Sequence, residues 1–117
     1  MRTMMMMQLQ LDLQKEQALS QIRIQERYAL LEAQFIEQWQ LNYSLEYWKA
    51  EEANRQVLTE TYHKQLDFAL QDIAAKRDAA LQAQQTSHEA SLEMVKNAHQ
   101  GQIDQTTQAA AQPQTAA

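Results

Sequence analysis

No glycine precedes Gly101 and no proline precedes Pro113. Glycine and proline are the residues that break helices and form tight turns, because one tolerates positive φ and the other lacks an N–H. A chain of 117 residues with average usage would hold roughly eight glycines and six prolines; this one has one of each. The intervening hundred residues are rich in Gln, Ala, Leu and Glu, which lose little side-chain freedom on entering a helix. The expected fold class is therefore all-α, with one long amphipathic helix over about residues 9–84. Loop-borne catalytic scaffolds are correspondingly disfavoured.

The formal net charge of −5 is spread evenly, with no basic stripe to neutralise phosphates, so DNA contact is expected to be transient at most. The absence of cysteine rules out disulfides and thiolate metal ligands. The opening Met1–Met7 run is interrupted by Gln8, Gln10 and Asp12 and lacks the pattern of a cleaved leader. No stretch reaches the ~20 apolar residues needed to cross a bilayer.

Four regions follow: a Met-rich lead over 1–8, the helical body over 9–84, a short second helix over 86–100, and a Gln/Ala/Thr tail over 101–117. Thr86 to Glu89 fits a capping box, and Gly101 suits a helix C-cap. The competing reading is a helix that runs straight through Thr86. The tail has no large apolar residue after Ile103 and is expected to be disordered without a partner.

Large side chains concentrate between Ile22 and Trp48. Ile22, Ile36, Tyr43 and Tyr47 lie on one helical face; Ile24, Tyr28, Leu31, Phe35 and Trp39 lie on an adjoining one; Leu30, Leu41, Leu45 and Trp48 lie on a third. A helix this apolar around its circumference needs at least two neighbours, in a hairpin bundle or a ring of parallel helices. Further on, Tyr62, Leu66, Ala69, Ile73, Lys76, Ala80 and Ala83 alternate steps of four and three, the spacing of a coiled-coil seam. A turn near Asn42 or Asn54 has little favourable chemistry around it. If the body is continuous it has no core of its own and must oligomerise, and these two sets are the expected subunit-packing residues.

Glu60 and His63 have the Glu-x-x-His spacing of di-iron bundles, but the other two histidines follow Gln85 and Lys96 at that offset, so the ligand set is incomplete. No metal or cofactor is expected. The aromatic series Phe35, Trp39, Tyr43, Tyr47 is expected to pack between helices; without interleaved cations it lacks the electrostatic half of base binding. No histidine is placed to activate a serine, and no phosphate-cradling loop is present, which points away from an enzyme. Gln8, Gln10, Gln14, Gln17, Gln21 and Gln25 read either as a neutral hydrated lumen or as the polar back of a coiled coil.

The stretch Gln10-Leu11-Asp12-Leu13-Gln14-Lys15-Glu16, with Gln17 and Gln21 following, resembles the Gln-rich helical region of microvirus DNA pilot proteins. Its composition is also similar to helical internal or ejection proteins of other phages. The resemblance covers about 20 residues and lacks that family's Gly-rich apolar N-terminal segment. It implies a tube of parallel helices that conducts phage DNA, with other virion or assembly proteins as partners. The expected function is a homo-oligomeric structural component. The alternative is a helical adaptor or chaperone that grips a partner helix through its aromatic face.

Overall fold

The structure is a computed structural model that describes residues 2–111, with side chains from 4 to 104. It consists of helix α1 (Arg2–Lys49), a single 3₁₀ turn (Glu52–Asn54) and helix α2 (Arg55–Ala111). No strand occurs among the described residues, so the all-α expectation holds. The chain divides into two units, one made of residues 21–82 and one of 1–20 with 83–117.

The continuous helix expected over 9–84 is interrupted at residues 50–54. Helix α1 closes with the Ala50 N–H donating to the Glu46 carbonyl at 3.0 Å. Glu51 then takes an extended conformation, φ −65° and ψ 148°, which ends the helical hydrogen-bond ladder. The 3₁₀ turn follows, with the Asn54 N–H donating to the Glu51 carbonyl at 2.9 Å. No residue among those described has positive φ. A reversal built entirely from negative-φ conformations needs neither glycine nor proline, and that is why the missing breakers did not preclude it.

Electrostatics favours a break at this point. Lys49 sits in the last turn of α1, where a cation offsets the negative end of the helix dipole, and Glu51 and Glu52 lead into α2, where carboxylates face its positive end. Arg55 ties the two helices together. Its Nε donates to the Tyr47 carbonyl at 3.2 Å, one of the terminal acceptors that α1 leaves without an intrahelical donor. Its guanidinium also lies 4.8 Å from the Tyr47 ring centroid and 5.6 Å from that of Trp48.

Within the 21–82 unit the two helical segments form an antiparallel hairpin. Tyr43 meets Thr59, Trp39 meets His63 and Tyr47 meets Arg55. These residue numbers each add to 102, so residue n of α1 lies level with residue 102 − n of α2. The half-buried positions include the series 24, 28, 32, 35, 39, 43, 47 and 50 up to the turn and 55, 59, 62, 66, 70, 73, 77 and 81 after it, with 21, 36, 58, 69, 74 and 80 half-buried beside them. Each series makes five steps of four and two of three, 26 residues in seven steps. A heptad seam would alternate fours and threes; the excess of fours lengthens the period to about 3.7 residues, close to an 11-residue repeat. Of the expected α2 seam, Tyr62, Leu66, Ala69, Ile73 and Ala80 are half-buried, while Lys76 and Ala83 are exposed and Arg77 and Leu81 are half-buried beside them. Lys76 pairs with Asp72 at 2.9 Å on the helix surface.

In the 1–20/83–117 unit the facing positions are mostly polar. Gln10, Leu13, Gln17 and Ser20 are half-buried on α1, and Gln84, Gln85, His88, Ser91, Leu92, Val95 and His99 on α2. The Gln17 amide donates to Gln85 Oε1. Gln84 Oε1 and His99 Nδ1 are buried without a hydrogen-bond partner, a cost that apolar packing does not carry. The expected boundary at Thr86 is corrected, since α2 passes through it unbroken and Ser91 Oγ donates back to the Ser87 carbonyl at 3.1 Å. Gly101 lies inside α2 with ordinary negative φ rather than capping a helix at Gln100. The helix continues to Ala111 through the tail expected to be disordered; residues 112–117 of that tail lie outside the described residues.

Two predictions follow from these packing differences. Replacing Arg55 by Ala removes a charged hydrogen bond and two ring contacts, and lowers stability by about 1–3 kcal/mol, read as a shift in the urea or thermal midpoint by circular dichroism. Native-state hydrogen exchange is expected to be slower in residues 24–47 and 59–81 than in 6–20 and 84–99, because polar seams open at lower free energy.

Candidate functional site

Trp39, Tyr43 and Tyr47 recur every four residues on α1 and so share the side that faces α2. Trp39 and Tyr43 stack, with centroids 5.2 Å apart and planes 5° from parallel. Tyr62 and His63 close over them from α2. The His63 ring stands edge-on to Trp39 at 5.2 Å and to Tyr43 at 5.7 Å, and Tyr62 tilts against Tyr43 at 5.6 Å. These offset and edge-on arrangements suit the ring quadrupoles.

Three polar atoms of the cluster are hydrogen-bonded. Trp39 Nε1 donates to the Tyr62 carbonyl at 2.8 Å. The Tyr43 hydroxyl and Thr59 Oγ1 share a hydrogen bond of 2.8 Å. His63 Nδ1 donates to the Thr59 carbonyl at 2.8 Å. The cluster thus fixes the rotation and axial register of the two helices, since a slip by one residue would separate both cross-helix hydrogen bonds.

The expected packing residues separate into two groups. Ile24, Tyr28, Phe35, Ile36, Trp39, Tyr43 and Tyr47 are half-buried on α1, and Tyr62, Leu66, Ala69, Ile73 and Ala80 on α2. The structure brings these toward the partner helix of the same chain. Ile22, Leu31 and Trp48 are exposed, at 49%, 42% and 75%. Arg55 and Thr59 were not singled out from the sequence. Both owe their roles to the position of the turn, and the only cue to it was Lys49 followed by Glu51, Glu52 and Asn54.

His63 is committed to the Thr59 backbone and the aromatic rings, and no group of three or more His, Cys, Asp or Glu side chains suited to a metal occurs among the described residues. Of the six glutamines noted in the first half of α1, Gln10, Gln17 and Gln21 are half-buried within their own unit, while Gln8, Gln14 and Gln25 are exposed. No described helix is long and apolar enough to cross a membrane.

The outer surface carries the remaining apolar groups. No described side chain is fully buried. Leu30, Leu41, Leu45 and Trp48 on α1, and Val57 and Phe68 on α2, are all at least half exposed. Compared with known proteins, the chain matches no family model, no curated protein and no solved structure.

Removing the Tyr43 hydroxyl (Tyr43→Phe) is expected to cost about 1 kcal/mol, and Trp39→Ala about 2–4 kcal/mol because Trp39 is only half-buried. Both are read from urea midpoints at unchanged protein concentration. The Thr59→Val and Tyr43→Phe double variant should lose little more than either single one, since both remove the same hydrogen bond.

Proposed function

We propose that this chain is a non-enzymatic structural subunit that assembles with copies of itself, a helical component of a virion-type particle concerned with genome delivery or internal scaffolding. The observation that carries the reading is the lack of any fully buried described side chain beside exposed Leu30 at 59%, Leu41 at 54%, Trp48 at 75% and Phe68 at 78%. A two-helix hairpin gives each helix one neighbour. The apolar circumference of residues 22–48 requires another, and further copies of the same hairpin meet that requirement. Exposed apolar area on this scale is a mark of interaction surfaces.

The resemblance of residues 10–22 to the helices of microvirus DNA pilot proteins supports the virion setting, and the even, mildly acidic charge suits a component past which a polyanion moves without adhering. The adaptor reading draws less support. Its expected gripping surface, the aromatic stripe, is occupied by Tyr62 and His63 of the same chain.

Light scattering coupled to size exclusion, with negative-stain microscopy, tests the proposal. The expected result is a homogeneous oligomer of many copies with ring-like or tubular projections. A monomer that stays folded at tens of micromolar would overturn it and favour the adaptor.

A further inference from the structure

We infer that neighbouring copies pack side by side in the same orientation, with the outer face of α1 in one copy against the outer face of α2 in the next. This rests on the self-assembly just proposed and specifies its interface. Leu30 and Leu41 are 11 residues apart on α1, and Val57 and Phe68 are 11 apart on α2. Eleven residues is close to three helical turns, so each pair forms an axial stripe. All four are exposed, on the sides turned away from the hairpin seam. One hairpin therefore presents two apolar stripes on opposite faces.

The level rule of the hairpin decides the fit. If the next copy is displaced sideways without sliding, Phe68 comes level with residue 34 of α1, between Leu30 and Leu41. Val57 comes level with Leu45. Phe68 is the most exposed of the large apolar side chains, at 78%. It faces the end of a shallow depression on α1 lined by Gln34, Glu37 and Leu41 among others, a knob opposite a recess.

Charge then selects the same register. Lys64 comes level with residue 38, beside Glu37, and both lie on the same flank of their stripes. On the opposite flank Asp72, already paired with Lys76 at 2.9 Å, comes level with residue 30. The Glu37–Lys64 edge is therefore the one that charge selects. Back-to-back pairing of two α1 helices in antiparallel fashion, with Leu30 opposite Leu41 of the other copy, would instead bring two Glu37 carboxylates within a turn of each other at the symmetry axis. Such a pairing is disfavoured by like charge. A contact that joins two different faces is heterologous, and it propagates into a ring or an open array instead of stopping at a dimer.

Cross-linking in the full chain tests this directly, because the protein has no cysteine of its own. Leu41 and Thr61 are level and lie on opposite outer faces, so they cannot bridge within one hairpin. Under mild oxidation the Leu41→Cys plus Thr61→Cys variant is expected to give a ladder of covalent dimers, trimers and higher forms, while either single variant gives none. Dimers from Leu41→Cys alone, or an assembled double variant without a ladder, would overturn the proposed interface and leave self-assembly standing. A chain that is monomeric by light scattering would overturn both.

A charge swap gives an independent readout at positions that the hairpin does not use. Glu37→Lys and Lys64→Glu should each weaken assembly roughly five-fold, and an equimolar mixture of the two should recover it, since every contact in the mixture can again pair opposite charges. Equal weakening without recovery on mixing would overturn the pairing.

Discussion

The reversal at Glu51 is the constraint on which the rest of the molecule depends. Glu51 leaves the helical region for extended backbone, and everything that α1 buries is then decided by what the returning helix brings alongside. The change costs few hydrogen bonds because the interrupted ladder is closed from both sides. Ala50 completes the last turn of α1, the 3₁₀ turn supplies the first bonds of the return, and Arg55 serves a terminal carbonyl of the helix it has just left. Residue 102 − n faces residue n because of where that extended residue falls. Had it been one position later, Trp39 and Tyr43 would face different partners.

Two helices provide limited burial. A helix packed on one neighbour covers one stripe of its circumference, and here the covered stripe holds the aromatic rings of α1. Their hydrogen bonds to Tyr62 and Thr59 make the contact specific, but every ring remains partly accessible. Leu30, Leu41 and Leu45 of α1 keep half or more of their surface open to water. Apolar surface of this kind is stabilised by association at about 25 cal/mol for each Å² covered, which is the driving force that the proposed assembly would use.

Most of the helical content was legible in residues 1–100, because composition and lack of breakers act additively along a long chain. The spread of large side chains over several faces of residues 22–48 could likewise be read, and the structure leaves Leu30, Leu41, Leu45 and Trp48 exposed on it. What could not be read was the turn. Asn54 was considered, but turn chemistry in a sequence is recognised mainly through Gly and Pro, and a reversal that uses only negative φ leaves neither. The misplacement of the seam at Lys76 and Ala83 has a different cause. Alternating fours and threes and a series richer in fours share most positions over three turns, and they separate farther along the helix, where Arg77 rather than Lys76 is half-buried. The helix through Thr86 and Gly101 shows the converse limit, since good capping residues impose no cap when the backbone on both sides is already helical.

The period of the seam also bears on how copies can meet. A heptad pattern drifts around a straight helix and is kept in contact by left-handed coiling. In the 21–82 unit the inner positions advance by about 3.7 residues per step, and the outer residues Leu30 and Leu41, like Val57 and Phe68, recur after 11, or about 3.67 per turn. Inner and outer faces therefore advance together, and they stay on opposite sides of each helix across the whole unit. A hairpin with that property has two nearly parallel apolar edges, one on each helix. In the proposed assembly, neighbours would meet along a line on either side, and the contact joining two copies would be open to join the next.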